Sequence, residues 1–216
     1  MQIIDWSRFL KKGLLPENKQ LTGGLPTGSQ LVSSMTVGVF DGVHRGHQAL
    51  IRRVVSYNAN NMPDPGEGCS TENTFVPVVV TFRENHKSKR ATDNILSFRQ
   101  KIAMFENLGI KITIVIDFTE TFRHMTGLEF LEKLYKHANI GFFAVGSRFR
   151  CGYQQDTGAQ EIGDFFTSRN IPVEIIPEVM EGSLPISSSR IRRAITDRDF
   201  PLAETMLGYQ LTHSPG

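Results

Sequence analysis

His44 and His47 stand three residues apart in Asp41-Gly42-Val43-His44-Arg45-Gly46-His47, and Gly46 lies between them. The stretch before them, from Met35, is a short apolar run with β-branched residues, the pattern of a buried strand. Asp41-Gly42 breaks that run as a tight turn does. From His47 onward the apolar residues Ala49, Leu50, Val54 and Tyr57 recur at helical spacing. The two histidines therefore sit where a strand end becomes a helix start. Helix starts offer unpaired N–H groups and partial positive charge, which suit phosphate. Gly46 removes a side chain where a phosphate would approach the backbone. Two blander readings compete with this one, a metal site and a turn carrying two surface histidines. No cluster of cysteines or carboxylates nearby completes a ligand set, so no metal ligand is assigned.

The elements that must position this stretch alternate between strand and helix. Ile3 to Lys12 reads as a short strand and a helical turn, and residues 13–30, rich in Gly, Pro and Leu, as a loop. Residues 58–73 carry turn formers and almost no apolar residue, the mark of a surface excursion rather than a domain boundary. Phe75 to Phe82, Ile110 to Asp117, Phe142 to Gly146 and Ile171 to Ile176 read as further strands. Ser97 to Leu108 reads as an amphipathic helix closed by Gly109. Two more helices are predicted over 118–125 and 127–137, the second with Leu128, Phe130, Leu131 and Leu134 on its apolar face. Another helix ends over 164–169. Strands separated by helices predict an α/β fold with a parallel sheet and right-handed crossovers. In such a sheet ligands bind at the carboxyl ends of the strands.

With 216 residues the chain is long enough for one domain with a sizeable core. A net charge of +2 argues against a dedicated nucleic-acid surface. No apolar run is long enough to span a membrane, no secretory signal is seen at the N-terminus, and Cys69 and Cys151 demand no disulfide. A cytoplasmic location is the expectation. There is no Gly-x-x-x-x-Gly-Lys-Ser/Thr, so a P-loop kinase is not expected. The basic stretch Arg83 to Asp93, with His86, Lys87, Lys89 and Arg90, reads either as a solvated loop or as a flap over an anionic ligand.

Three segments together resemble a known family. Gly38-Val39-Phe40-Asp41-Gly42-Val43-His44-Arg45-Gly46-His47 resembles the first signature of the bacterial FAD synthetases, within the HxGH nucleotidyltransferase superfamily. Val145-Gly146-Ser147-Arg148-Phe149-Arg150-Cys151-Gly152 resembles the family's Val-Gly-x-Asp/Asn-Phe-x-Phe-Gly, with Arg148 and Cys151 as departures. Ile186-Ser187-Ser188-Ser189-Arg190-Ile191-Arg192 resembles Ile-Ser-Ser-Thr-x-Ile-Arg. The segment Ala203 to Tyr209 resembles the family's closing Ala-x-x-x-Leu-Gly-Arg-x-Tyr, without that Arg. The family's Thr-Phe-x-Pro-x-Pro appears here as Thr81-Phe82-Arg83-Glu84-Asn85-His86, without its prolines.

The resemblance implies a Rossmann-like open parallel sheet with helices on both faces. Residues 1–216 would be a single nucleotidyltransferase domain, with no riboflavin kinase domain. The implied reaction is FMN + ATP giving FAD and pyrophosphate, with Mg²⁺ expected alongside ATP. The FMN phosphate needs no general base, so catalysis becomes positioning and neutralisation of charge in an in-line transfer. The resemblance assigns His44, His47 and Arg190 to catalysis. It assigns Val39, Phe40, Asp41, Gly42, Gly46, His47, Gly146, Ser188, Ser189 and Arg190 to ATP. Ser188, Ser189 and Arg190 would clamp the leaving pyrophosphate, with one of Ser187, Ser188 and Ser189 capping a helix. Thr81, Phe82, Arg148 and Phe149 would contact the flavin, and Arg148 is expected to face the cleft and pair with a phosphate. No nucleic-acid or membrane partner is implied. Two rivals stay open: a nucleotidyltransferase acting on another phosphate-bearing acceptor, and a non-catalytic flavin- or nucleotide-binding protein.

Overall fold

The computed structural model describes residues 1–14, 31–57, 74–83 and 94–211. The loop predicted beyond Leu14, the 58–73 excursion with Cys69, and His86, Lys87, Lys89 and Arg90 lie outside the described residues. Among the described residues, six parallel strands form one sheet. They are β1 (Gln2–Asp5), β2 (Leu31–Val37), β3 (Thr74–Phe82), β4 (Ile112–Ile116), β5 (Ile140–Gly146) and, after two short strands, β8 (Val173–Ile176). Their spatial order is β1-β4-β3-β2-β5-β8.

The four central strands, β2 to β5, are largely buried on both faces because both faces are covered. Every residue of β4 is buried. In β3 the pleat divides the side chains. Val76, Val78, Val80 and Phe82 enter one core with Phe9, Phe130, Leu131, Leu134 and Phe166. Val79 enters the other with Leu50, Ile51, Val54 and Phe105. One helical layer thus holds α1 (Trp6–Lys12), α5 (Gly127–Ala138) and α6 (Ala159–Thr167), and the opposite layer holds α2 (Arg45–Ser56) and α3 (Phe98–Asn107). Local chemistry fixes the helix starts: capping boxes at Ser97/Gln100 and Thr126/Glu129 satisfy the first backbone donors of α3 and α5. Leu128, expected on the apolar face of α5, is 55% exposed. At 100° per residue it lies roughly 100° round the helix from the centre of the buried stripe Gly127, Phe130, Leu131, Leu134 and Ala138. The N-terminal strand extends the sheet beyond β4, pairing Ile4 with Ile114.

From β2 the chain steps to β3 and then β4 on one side. It then returns across the sheet to β5 and β8 on the other. The order reverses between β2 and β5, which pair directly through Thr36 and Ala144. A crevice opens at the carboxyl ends where such a reversal occurs. The stretch bearing both histidines leaves β2 at that point.

Two small hairpins and two C-terminal helices complete the described chain. β6 (Arg150–Cys151) pairs with β7 (Thr157–Gly158), and β9 (Met180–Glu181) with β10 (Leu184–Pro185). α7 (Ser188–Thr196) and α8 (Phe200–Leu207) pack on each other through Ile191, Ala194, Ala203, Met206 and Leu207. α4 (Glu120–Arg123) is a single turn on the edge of the first core.

Candidate functional site

The turn after β2 is held in an uncommon backbone conformation. Phe40, Gly42 and Val43 have φ of 53°, 78° and 36°. A β-branched residue such as Val43 rarely adopts positive φ, so this backbone must be imposed by its surroundings. Phe40 and Val43 supply that force, buried at 1% and 0% exposure in the α2–α3 core. Gly42 is required for space as well as angle, because a Cβ there would meet Ile95 Cδ1 at 2.9 Å.

Long-range contacts fasten the turn from three sides. The Asp41 carboxylate accepts the Ile95 N–H at 3.0 Å and Arg192 Nη2 at 2.7 Å. The Asp41 carbonyl accepts the Ser188 hydroxyl at 2.9 Å. The Gly42 carbonyl accepts the Tyr209 hydroxyl at 2.6 Å, and burial together with the charge of Asp41 pushes that phenol up from its ordinary value. Gln48 donates to the Val43 carbonyl at 2.9 Å and the Leu207 carbonyl at 2.8 Å. The start of α7 and the end of α8 are therefore docked onto the first signature.

His44 is the N-cap of α2, its Nδ1 accepting the His47 N–H at 3.3 Å. An accepting Nδ1 leaves the proton of the neutral ring on Nε2. The His44 and His47 rings stack with centroids 3.5 Å apart at 17°, and Phe40 meets His47 edge-on at 5.3 Å. A Cβ at Gly46 would lie 3.2 Å from His44 Cε1, so the glycine keeps the approach beside that ring open. Burial pushes the His44 imidazole down to about 4, partly offset by Asp41. Burial, then His44, then Lys101 lower His47 as well. Both rings are neutral near pH 7. His47 Nδ1 is buried and has no hydrogen-bond partner among the described residues. Two neutral imidazoles at a helix start can donate N–H to a polyanion and take up positive charge as negative charge builds beside them.

This arrangement fixes an acid-stability slope. Between pH 6.5 and about 4 the unfolded chain protonates at His44 while the folded chain resists it. The stability that the neutral ring confers is present above pH 6.5 and is lost as pH falls toward 4. The full shift corresponds to about 3 kcal/mol. Urea unfolding at pH 7, 5.5 and 4.5 should show this loss in the wild type and a shallower slope in His44→Asn. Equal slopes would mean that His44 is not held neutral.

The structure places the sequence-predicted residues unevenly. Val39, Phe40, Asp41, Gly42, His44, Gly46, His47 and Ser188 come together at the β2 end. Gly146 ends β5 next door, with nothing among the described residues within 4 Å of where a Cβ would stand. Thr81 and Phe82 are buried, Thr81 under the turn with its hydroxyl donating to the Val39 carbonyl at 3.2 Å. Phe149 packs partly buried against the first core. Arg148, expected to face the cleft, has a side chain 69% exposed and pairs with Glu178 at 2.9 Å, a partner that a phosphate would have to displace.

In the third signature, Ser187 caps α7 by accepting the Arg190 N–H at 3.2 Å, and Ser189 is exposed. Arg190, expected at the phosphates, donates to the carbonyls of Leu184, Pro185 and Glu181 at 2.9, 3.4 and 3.0 Å. Arg45 reaches the same hairpin through the Glu181 carboxylate at 2.5 Å. Arg192 is the guanidinium brought to the Asp41 turn. Sequence reasoning also passed over Lys101, whose ammonium lies buried beneath that turn. Its signal was a charge on the apolar stripe that runs through Phe98 and Phe105 of α3.

A family model of FAD synthetases matches residues 28–190, which span the β2 turn, the β5 end and the start of α7. The chain belongs to the FAD synthetase family. It is 28% identical over 187 residues to the bifunctional riboflavin kinase/FMN adenylyltransferase of Escherichia coli K12, covering 81% of this chain and 54% of that protein. A FAD synthetase of Listeria monocytogenes is 25% identical over 185 residues, covering 85% of this chain and 72% of that one. This family member thus spans about half the length of the bifunctional relatives it matches. A crystal structure described as a macrolide-efflux protein from Streptococcus pneumoniae shares the fold, with TM-score 0.72 and 26% identity over 98% of this chain and 63% of that one. Among the described residues of this FAD synthetase family member, no helix is long and apolar enough to cross a membrane.

Proposed function

We propose that this chain is an FMN adenylyltransferase, moving AMP from ATP to the phosphate of FMN to give FAD and pyrophosphate. The observation that carries this reading is the stacked, neutral His44–His47 pair at the start of α2, at the reversal of the parallel sheet, with the start of α7 docked on its turn. The FMN phosphate oxygen attacks the α-phosphorus of ATP, and pyrophosphate leaves in line. His44 and His47 donate N–H to the phosphates and take on charge in the transition state. Gly46 leaves the backbone approachable. Ser188 and Ser189 open α7, whose N-terminal amides suit the leaving pyrophosphate. Arg192 adds charge at the turn, and Arg190 reaches the phosphates only by leaving its three carbonyls.

Among the described residues, no group of three or more His, Cys, Asp or Glu side chains is placed to hold a metal ion. Mg²⁺ is expected with the triphosphate, where it would neutralise phosphate charge. We read residues 1–216 as one nucleotidyltransferase domain acting in the cytoplasm on small molecules.

A second reading, transfer of AMP to a different phosphate-bearing acceptor, is favoured by the absence of the family's prolines after Phe82 and by Arg148. Incubation with MgATP and FMN, then with other phosphorylated acceptors, and identification of products by mass decides between them. FAD and pyrophosphate in equal amounts are expected. Rapid turnover of another acceptor with none of FMN would overturn the assignment, and no turnover of any acceptor would favour a binding protein.

A further inference from the structure

Lys101 lies on α3, far in sequence from all three signatures, and is only 6% exposed. All three of its ammonium hydrogens have acceptors: the Phe82 carbonyl at 2.7 Å, the Val39 carbonyl at 3.2 Å and the Thr81 hydroxyl oxygen at 3.3 Å. Phe82 ends β3, and Val39 is the last residue before the left-handed turn. One side chain thus spans two neighbouring strand ends at the point where the histidine-bearing turn departs. The Thr81 hydroxyl closes the triangle by donating to the same Val39 carbonyl.

No ion pair of the described residues includes Lys101, although the charge of Asp41 acts on it from across the turn. A buried ammonium without a contacting carboxylate is costly. If α3 needed only packing at this position, methionine or leucine would serve without that cost. The placement of the charge therefore points to the turn it holds rather than to the helix that carries it.

We propose that Lys101 is a positioning residue of the transfer site, fastening the carboxyl ends of β2 and β3 so that the turn between them and α2 presents His44 and His47 in register. It acts through the backbone of Val39 and Phe82 and touches no reacting atom. The inference rests on the adenylyl-transfer reading above. The ionisable groups that act on His47 are His44, the N-cap of α2, and Lys101 itself. Burial holds Lys101 down to about 8, partly offset by the charge of Asp41.

The test uses Lys101→Met, which keeps the aliphatic stem, and Thr81→Val, which removes one acceptor and keeps the charge. Steady-state kinetics and imidazole titration by NMR are measured on both. In Lys101→Met, kcat for FAD formation should fall by roughly 10- to 10²-fold with KM for ATP and FMN nearly unchanged. The His47 titration should move toward the ordinary imidazole value as the neighbouring cation disappears. Thr81→Val should lose a few-fold in kcat with His47 unmoved. A folded Lys101→Met with wild-type kcat overturns the proposal, whatever His47 does. If Lys101→Met does not fold, wild-type kcat in Thr81→Val overturns it instead. If the wild type makes no FAD, the functional reading has failed, and the positioning role is decided by the backbone amide resonances of residues 39–47, which should shift in Lys101→Met and overturn the proposal if they do not.

Discussion

Replacing His47 by alanine is expected to slow FAD formation by about 10²-fold, equivalent to about 3 kcal/mol of transition-state stabilisation. The loss should fall on kcat, because the ring's contribution grows as charge develops on the α-phosphate and is small in the ground state. Stability should change far less. Alanine removes the stack on His44 and the edge contact with Phe40. It also removes an imidazole nitrogen that is buried without a partner, and that relief offsets part of the lost packing. Arg190→Ala makes the contrast. Its guanidinium holds three carbonyls of the β9–β10 hairpin, so its removal should lower stability as well as turnover. Parallel measurements of kcat and thermal midpoint on the two variants separate these outcomes. A His47→Ala enzyme with near-wild-type kcat would remove this histidine from the mechanism.

The parts legible in the sequence were those with a local signature. The run from Met35 to Phe40 is mostly apolar and is broken by Asp41-Gly42, so the carboxyl end of β2 is legible from pattern and punctuation alone, though not its start at Leu31. Ser97 with Gln100 marks the start of α3 in the same local way. The histidine pair could be placed at a helix start because strand, turn and helix lie within a few residues of one another. What could not be read is whatever the fold brings from afar. Asp41 and Arg192 are 151 residues apart, and neither carries a local sign of the other. The family's pattern sets its Arg at Arg192 and its variable x at Arg190, but charge and spacing alone do not say which of the two reaches the turn. Only the β9–β10 hairpin, whose strands are two residues long and too short for any period, turns Arg190 aside while Arg192 reaches the turn. Nothing local to Arg148 shows that Glu178, 30 residues on, stands beside it. Lys101 has a sequence sign of its own, a charge on an apolar stripe, and only the structure shows where its ammonium points.

Asp41→Ala is expected to produce the largest loss of stability of any change at the site. The carboxylate is 5% exposed and accepts a backbone N–H and a guanidinium, while its own carbonyl holds Ser188. Alanine leaves the Ile95 N–H and Arg192 without that acceptor in a partly buried setting. Breaking one side of a buried pair costs about 3–5 kcal/mol. Arg192 is itself 31% exposed and can turn toward water, so the lower end of that range applies. In a domain of this size about 3 kcal/mol lowers the thermal midpoint by roughly 6–12 °C. Asp41→Asn should fall between wild type and alanine, since its amide oxygen can still accept one of the two donors. The double variant Asp41→Ala/Arg192→Met separates the pair from the turn. If the ion pair carries the effect, the two single losses overlap, and the double variant should lose clearly less than their sum. If the double variant loses the sum of the two single effects, the pair is not coupled. Asp41 would then act through the Ile95 N–H, as a local brace for the left-handed turn that presents the histidines.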